Sequence, residues 1–126
     1  MIKAMLDTNI LIYLSKNDPP AVMERLAKFR KGEIGISSIA WGEYLVGLYK
    51  KGITDGQFDQ FISVLSFDAS AANVFAKLTA KYPDRSKGFD RLIAAHAITV
   101  GVKLITNNTT DFALYLDDGL AVENWV

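Results

Sequence analysis

The chain has no cysteine, a single histidine, only three prolines and no excess of either charge. Each shortage removes a class of chemistry. Without cysteine there are no disulfides, no thiolate metal sites and no thiol nucleophile, which suits a reducing compartment. His96 alone cannot build a multi-histidine zinc site within one chain. There is no Gly-x-Ser-x-Gly elbow, no Walker-type phosphate loop and no Gly-x-Gly-x-x-Gly, which argues against a serine triad and against the common nucleotide-binding loops. The 14 basic and 14 acidic residues cancel, so there is no broad positive field, although local patches survive such averaging. Long apolar runs are missing too. The longest, Leu92 to Thr106, is broken by His96, Thr99, Gly101 and Lys103. Nothing approaches the ~18 apolar residues of a membrane span. Asp7 interrupts the start of the chain before a signal-peptide core can form. A cytoplasmic protein is expected.

What is present is apolar and alternating. Half of the 126 residues are hydrophobic, enough for one compact domain that buries roughly two thirds of its unfolded surface. Ile2–Leu6 reads as a buried strand and Asn9–Leu14 as a short helix, ended by the polar cluster through Pro19 and Pro20. Pro20 suits the first turn of a helix running to Phe29 or Arg30. A strand follows at Ile34–Ser37. Ser37 or Ser38 caps a helix that ends near Gly52. Asp55 to about Ser63 is expected to be helical, with a strand near Val64–Phe67. Ala69–Lys81 and Phe89–Val100 read as helices, the second closed by Gly101. Val102–Ile105 and Ala121–Asn124 read as strands. Strands alternating with helices predict an α/β fold: a small, mainly parallel sheet of four or five strands flanked by helices. The strands' C-terminal ends then share one edge, where such folds bind ligands.

Four polar insertions fall at or near that edge: Asp7-Thr8-Asn9 after the first strand, Glu43 within an apolar helix, Asp90 at a helix start, and Thr106-Asn107-Asn108 after the last central strand. Each has an ordinary explanation. Asp7 and Asp90 are good helix caps, Glu43 can sit on an exposed face, and Thr106 and Asn108 suit a loop. Together they point to metal chemistry. Gathered carboxylates raise each other's pKa unless a cation joins them, and oxygen-only ligands suit a hard divalent metal. Asp111 is a further carboxylate within reach. Glu43 has only Ile39, Ala40, Val46 and Gly47 as helical neighbours, with no basic partner. His96 points away from Asp90 around the helix and reads as a core residue. The basic runs Arg25–Lys31, Lys50-Lys51 and Lys81–Lys87 read mainly as solvated faces. Arg85 and Lys87 are the best candidates for phosphate contact, being close to Asp90 in sequence.

The residues so assembled resemble the PIN-domain family, and within it the VapC-type toxin ribonucleases of bacterial toxin–antitoxin pairs. Five blocks carry the resemblance: Met-Leu-Asp-Thr-Asn-Ile at 5–10, Ile-Ser-Ser-Ile-Ala-Trp-Gly-Glu-Tyr-Leu-Val-Gly at 36–47, Gly-Phe-Asp-Arg-Leu-Ile-Ala-Ala-His-Ala at 88–97, Thr-Asn-Asn-Thr-Thr-Asp-Phe at 106–112 and Val-Glu-Asn-Trp at 122–125. The resemblance implies a single PIN-like domain over 1–126 and an endoribonuclease dependent on Mg²⁺ or Mn²⁺. Asp7, Glu43 and Asp90 match its acidic metal site, with Thr8, Ser38 and Thr106 in support. Its fourth acidic position falls on Asn108, a departure that lowers the negative charge. Asn108 or Asp111 would complete the site. The resemblance further implies a structured RNA substrate (tRNA or an rRNA loop), a homodimer, and a small VapB-like antitoxin as partner. Two rival readings stand beside it. One is a PIN fold that binds RNA or a partner without cutting. The other is a haloacid dehalogenase-like phosphatase, which needs a second Asp where Asn9 stands.

Overall fold

The computed structural model describes residues 1–54, 61–84 and 88–126. Its elements follow in chain order: β1 (Ala4–Leu6), α1 (Thr8–Lys16), α2 (Pro20–Leu26), β2 (Ile34–Ser37), α3 (Ser38–Lys50), β3 (Ser63–Leu65), α4 (Ala69–Lys81), α5 (Asp90–Val100), β4 (Lys103–Ile105), α6 (Thr109–Phe112), a 3₁₀ turn (Ala113–Asp118) and β5 (Val122–Glu123). The five strands pair in the order β3-β2-β1-β4-β5, every pair parallel. The chain builds outward from β1 through β2 to β3, then returns to place β4 on the other side of β1. The strand order therefore reverses between β1 and β4. In open parallel sheets that reversal opens a crevice beyond the strands' C-terminal ends.

All residues of β1 and β2 are buried, as expected of strands covered on both faces. The edge strands are short and only partly covered, which limits pairing with other chains. Beneath the sheet, α5 is the most buried helix. Ile93, Ala94, Ala95, His96 and Ala97 are all inaccessible. Its apolar residues occur almost all round, so it has to lie inside. Gly101 closes it in the left-handed region at φ 80°, where a side chain would be strained. The chain then reverses into β4, so the first turn of α5 lies at the sheet's C-terminal edge. At the other end of the chain Trp125 is buried and stacks on Phe29, with ring centroids 5.7 Å apart.

Several boundaries differ from expectation. β1 begins at Ala4 rather than Ile2, and α1 runs from Thr8 to Lys16 rather than stopping at Leu14. α2 ends at Leu26, and turns carry the chain on to Phe29. Ser37 both ends β2 and caps α3, its Oγ accepting the Ile39 N–H at 3.2 Å. β3 ends at Leu65, two residues before the expected Phe67. Of the helix expected at 55–63, residues 55–60 lie outside the described residues, and Ser63 is already in β3. Among the described residues no helix is long and apolar enough to cross a membrane.

Candidate active site

The register places Asp7, Ser37 and Thr106 one step beyond the paired residues Leu6, Ile36 and Ile105. Asp7 thus stands at the mouth of the crevice, and its N–H is fixed by Ile105 O at 2.8 Å. Its side chain caps α1. Oδ1 accepts the Thr8 N–H at 2.8 Å, and Oδ2 accepts the Thr106 hydroxyl at 2.8 Å. The capping role and the site role therefore coexist. Asp7 is only 4% exposed. Burial pushes its carboxyl above the usual range, more strongly than the two hydrogen bonds pull it down, and the charge of Asp111 raises it further.

Glu43 is half-buried on α3 and joined to Asp7 through one residue. Thr8 gives its N–H to Asp7 and its hydroxyl to Glu43 Oε1 at 3.0 Å. The Glu43 carboxyl is also raised, first by burial and then by the neighbouring Asp7, while the Thr8 bond opposes. Among the described residues neither carboxylate has a salt-bridge partner. Two desolvated acids held close by neutral donors are poorly satisfied as anions, which is the condition a bound cation relieves.

The remaining expected residues differ in where they stand. Asp90 is the first residue of α5, half-buried at the same edge. Phe89, not Asp90, is the cap residue, so the simple N-cap explanation of Asp90 does not hold. Thr106 is wholly buried and orients Asp7. Asn108 is exposed, and its backbone N–H donates to Thr106 Oγ1 at 3.0 Å. Asp111, in α6, is exposed yet near enough for its charge to act on Asp7. Ser38 uses its oxygen elsewhere, accepting the Phe67 N–H at 3.1 Å and tying α3 to the end of β3. Arg85 and Lys87 lie outside the described residues. Among the described residues no group of three or more Asp, Glu and His side chains stands ready to hold a metal ion. Like charges do not draw together without the cation that offsets them.

Two features escaped the sequence reading. Arg91 is almost wholly buried inside an otherwise apolar helix, donating from Nε to the Tyr115 hydroxyl at 3.1 Å and from its guanidinium to the Tyr82 carbonyl. A basic residue among apolar helical neighbours was the available signal. Asn107 and Asn124 meet at the crevice's outer rim, and the amides in the last two polar blocks hinted at it. His96 is the core histidine it was expected to be. It is buried, hydrogen-bonded through Nδ1 to Ser37 Oγ at 2.8 Å and set edge-on to Phe67.

Comparison with known proteins gives the family. A model of the PIN domain matches residues 4–115. The tRNA(fMet)-specific endonuclease VapC of Shigella flexneri is 35% identical over 99% of both chains. Ribonuclease VapC2 of Haemophilus influenzae is 32% identical over the full length of both. Among solved structures, DNA-bound VapBC from Salmonella typhimurium contains a chain that superimposes with a TM-score of 0.82, at 28% identity and full coverage of both chains. The haloacid dehalogenase reading is thereby overturned, and the chain belongs to the PIN domain family, among its VapC ribonucleases.

Proposed function

We propose that this protein is a divalent-metal-dependent endoribonuclease, the toxin of a VapBC-type pair, with Asp7, Glu43 and Asp90 as its acidic centre. The observation that carries the proposal is the Thr8-bridged pair. Two carboxylates at the sheet's switch point, Asp7 buried and Glu43 half-buried, are raised in pKa and served by hydroxyl and amide donors instead of cations. The donor set fits a hard cation: all its ligands are oxygen, and Glu43 Oε2 accepts no hydrogen bond among the described residues. Mg²⁺ or Mn²⁺ would be held by Asp7, Glu43 and Asp90, with Asn108 or Asp111 completing the shell. When bound, it would neutralise the phosphodiester and acidify a water for in-line attack. The protein's own part is positional. Thr106 and Thr8 fix the two Asp7 oxygens, and Thr8 holds Glu43 within the field of Asp7. Ser38 supports the edge by anchoring α3.

A carboxylate pair costly to keep without a cation argues against a fold that only binds. The substrate is taken to be a structured RNA of the tRNA class, from the name of the Shigella relative. The partner is taken to be a small VapB-like antitoxin, from the complexes of the structural neighbours. We further infer a homodimer, cytoplasmic in location, and RNA phosphate contacts by Arg85 and Lys87. The test is cleavage of tRNA by purified protein with Mg²⁺, with EDTA, and by Asp7→Asn. Cleavage that persists in EDTA or in Asp7→Asn would refute the proposal.

A further inference from the structure

Beside the acidic pair the crevice carries a strip of neutral amides. Asn9 and Tyr13 lie one turn apart on the same face of α1. Asn107 follows β4, and Asn124 follows β5. Asn107 joins all three segments. Its Nδ2 donates to the Tyr13 hydroxyl at 2.8 Å, its Oδ1 accepts Asn124 Nδ2 at 3.4 Å, and its N–H reaches Asn9 Oδ1 at 3.4 Å. Asn9 Nδ2 in turn points to Thr106 Oγ1 at 3.5 Å, the hydroxyl that holds Asp7. The strip thus starts at the acidic centre and runs outward over β4 and β5.

Three properties suit this strip to a ligand. Asn107 and Asn124 are exposed, so their amide groups are available from solvent. Apart from the bond to Tyr13, the side-chain contacts of the ladder are long, 3.4 to 3.5 Å. Such contacts are weak and easily exchanged. Among the described residues the strip contains no cationic side chain of its own. The nearby Lys103 and Arg25 are both paired with Glu123. A surface of this kind does not bind phosphate. It offers paired donors and acceptors beside a phenol, the chemistry that reads the edge of an unstacked base. A strand whose scissile phosphate reaches Asp7 brings its flanking nucleotides to the residues beside Asp7, and this strip begins there.

We propose that Asn107 and Asn124, with Asn9 and Tyr13, form a base-reading subsite for the nucleotide flanking the cut, and so set the cleavage position. This rests on the RNA-cleavage reading above. The test uses an RNA hairpin containing the mapped cut, resynthesised with each of the four bases at the two flanking positions. The readout is the ratio of kcat/KM among bases, for wild type, Asn107→Ala, Asn124→Ala and Asn107→Asp. Wild type should prefer one base at one position by about tenfold to a hundredfold. Asn107→Ala and Asn124→Ala should flatten that ratio without moving the melting temperature. Asn107→Asp, which accepts but does not donate, should shift preference toward cytosine. A merely structural seam would lower cleavage of all four bases alike and leave the ratio intact. That result, or a wild type indifferent to both flanking bases, overturns the subsite while leaving the nuclease standing. A wild type that cuts no hairpin, or an Asp7→Asn that still cuts, overturns the underlying reading instead.

Discussion

The acids of the crevice and the acids of the outer surface are treated in opposite ways. On the surface, Lys3 meets Glu33 at 2.8 Å, Lys81 meets Asp118 at 2.7 Å and Lys103 meets Glu123 at 3.4 Å. All three carboxyls are held below their usual range. In the crevice, Asp7 is buried and Glu43 half-buried, both are given hydroxyls, and both are pushed above it. The fold has lysines to spare for acids that need no help and supplies none, among the described residues, to the two that do. Such an arrangement lowers the stability of the empty fold, and it is the usual mark of a site that keeps its charge for a ligand.

The largest expected effect tests that contrast directly. Asp7→Asn removes the buried charge while leaving an oxygen for Thr8 or Thr106. RNA cleavage should fall on the order of 10³-fold, like the loss of one transition-state-stabilising group. Stability should move the other way, rising by about 1 kcal/mol, or a melting-temperature gain of ~4 °C at neutral pH without metal. The sign follows from the raised carboxyl. The folded state holds its proton more tightly than the unfolded chain. Stability is therefore full below the unfolded pKa and falls as pH rises through the folded one. The variant should lose that fall. A less stable Asp7→Asn would mean that the carboxylate is structural, and the contrast between the two regions would collapse.

The metal comes next. Saturating Mg²⁺ or Mn²⁺ should stabilise wild type, by about 2.7 kcal/mol at a hundred times the dissociation constant. It should leave Asp7→Asn unchanged in thermal melts. Removing the Thr106 hydroxyl by Thr106→Val acts at one remove. Cleavage should drop by about 10- to 100-fold, as for supports of metal ligands. Asp7 should titrate higher still, because one of its two hydrogen bonds is gone. Equal activity in Thr106→Val would show that Asp7 needs no orientation from β4.

Much of this arrangement was legible in the sequence because polar residues interrupt apolar periods there. Asp7 and Thr106 sit where buried strands end, so the parallel topology alone brings them to one edge. The helices α4 and α5 were readable from Tyr82-Pro83 and Gly101, whose backbone restrictions are local. What was not legible depends on partners far apart in the chain. The bridge from Thr8 to Glu43 spans α1 and α3, and the use of Ser38 by Phe67 spans α3 and β3. Burial of Arg91 requires Tyr82 and Tyr115 to meet it from two other elements. Short strands were overestimated because apolar residues at their ends pack against the core without joining the ladder, as Ile2 does.

His96 offers a pH test with a different sign. Burial lowers its imidazole below the usual range, against the pull of Asp68. The unfolded chain then binds the proton more readily. Stability is full above the unfolded histidine pKa, ~6.5, and is lost as pH falls below it toward the folded value. Melting temperature should therefore decline as pH drops from 7 toward 5.5, and His96→Gln should flatten the decline. A slope unchanged in that variant would assign the acid sensitivity to another group.

The smallest effect sharpens the surface half of the comparison. Glu123 owes its lowered carboxyl first to the Trp125 indole, whose Nε1 donates to Oε2 at 2.6 Å, and only later to the charges of Lys103 and Arg25. A lysine 59% exposed pays nearly as much in lost freedom and water as it gains from an ion pair. Lys103→Ala should leave cleavage unaltered and shift melting by about 1 °C or less. In NMR titrations Glu123 should rise only slightly in Lys103→Ala. It should rise further in Trp125→Phe, which keeps the ring against Phe29 and deletes the donor. If Lys103→Ala moved Glu123 more than Trp125→Phe did, ion pairing would govern the surface acids. The difference between surface and crevice would then be one of available charge. The expected order sets Glu123 apart by its neutral indole donor, whereas Asp7 and Glu43 are raised first by burial.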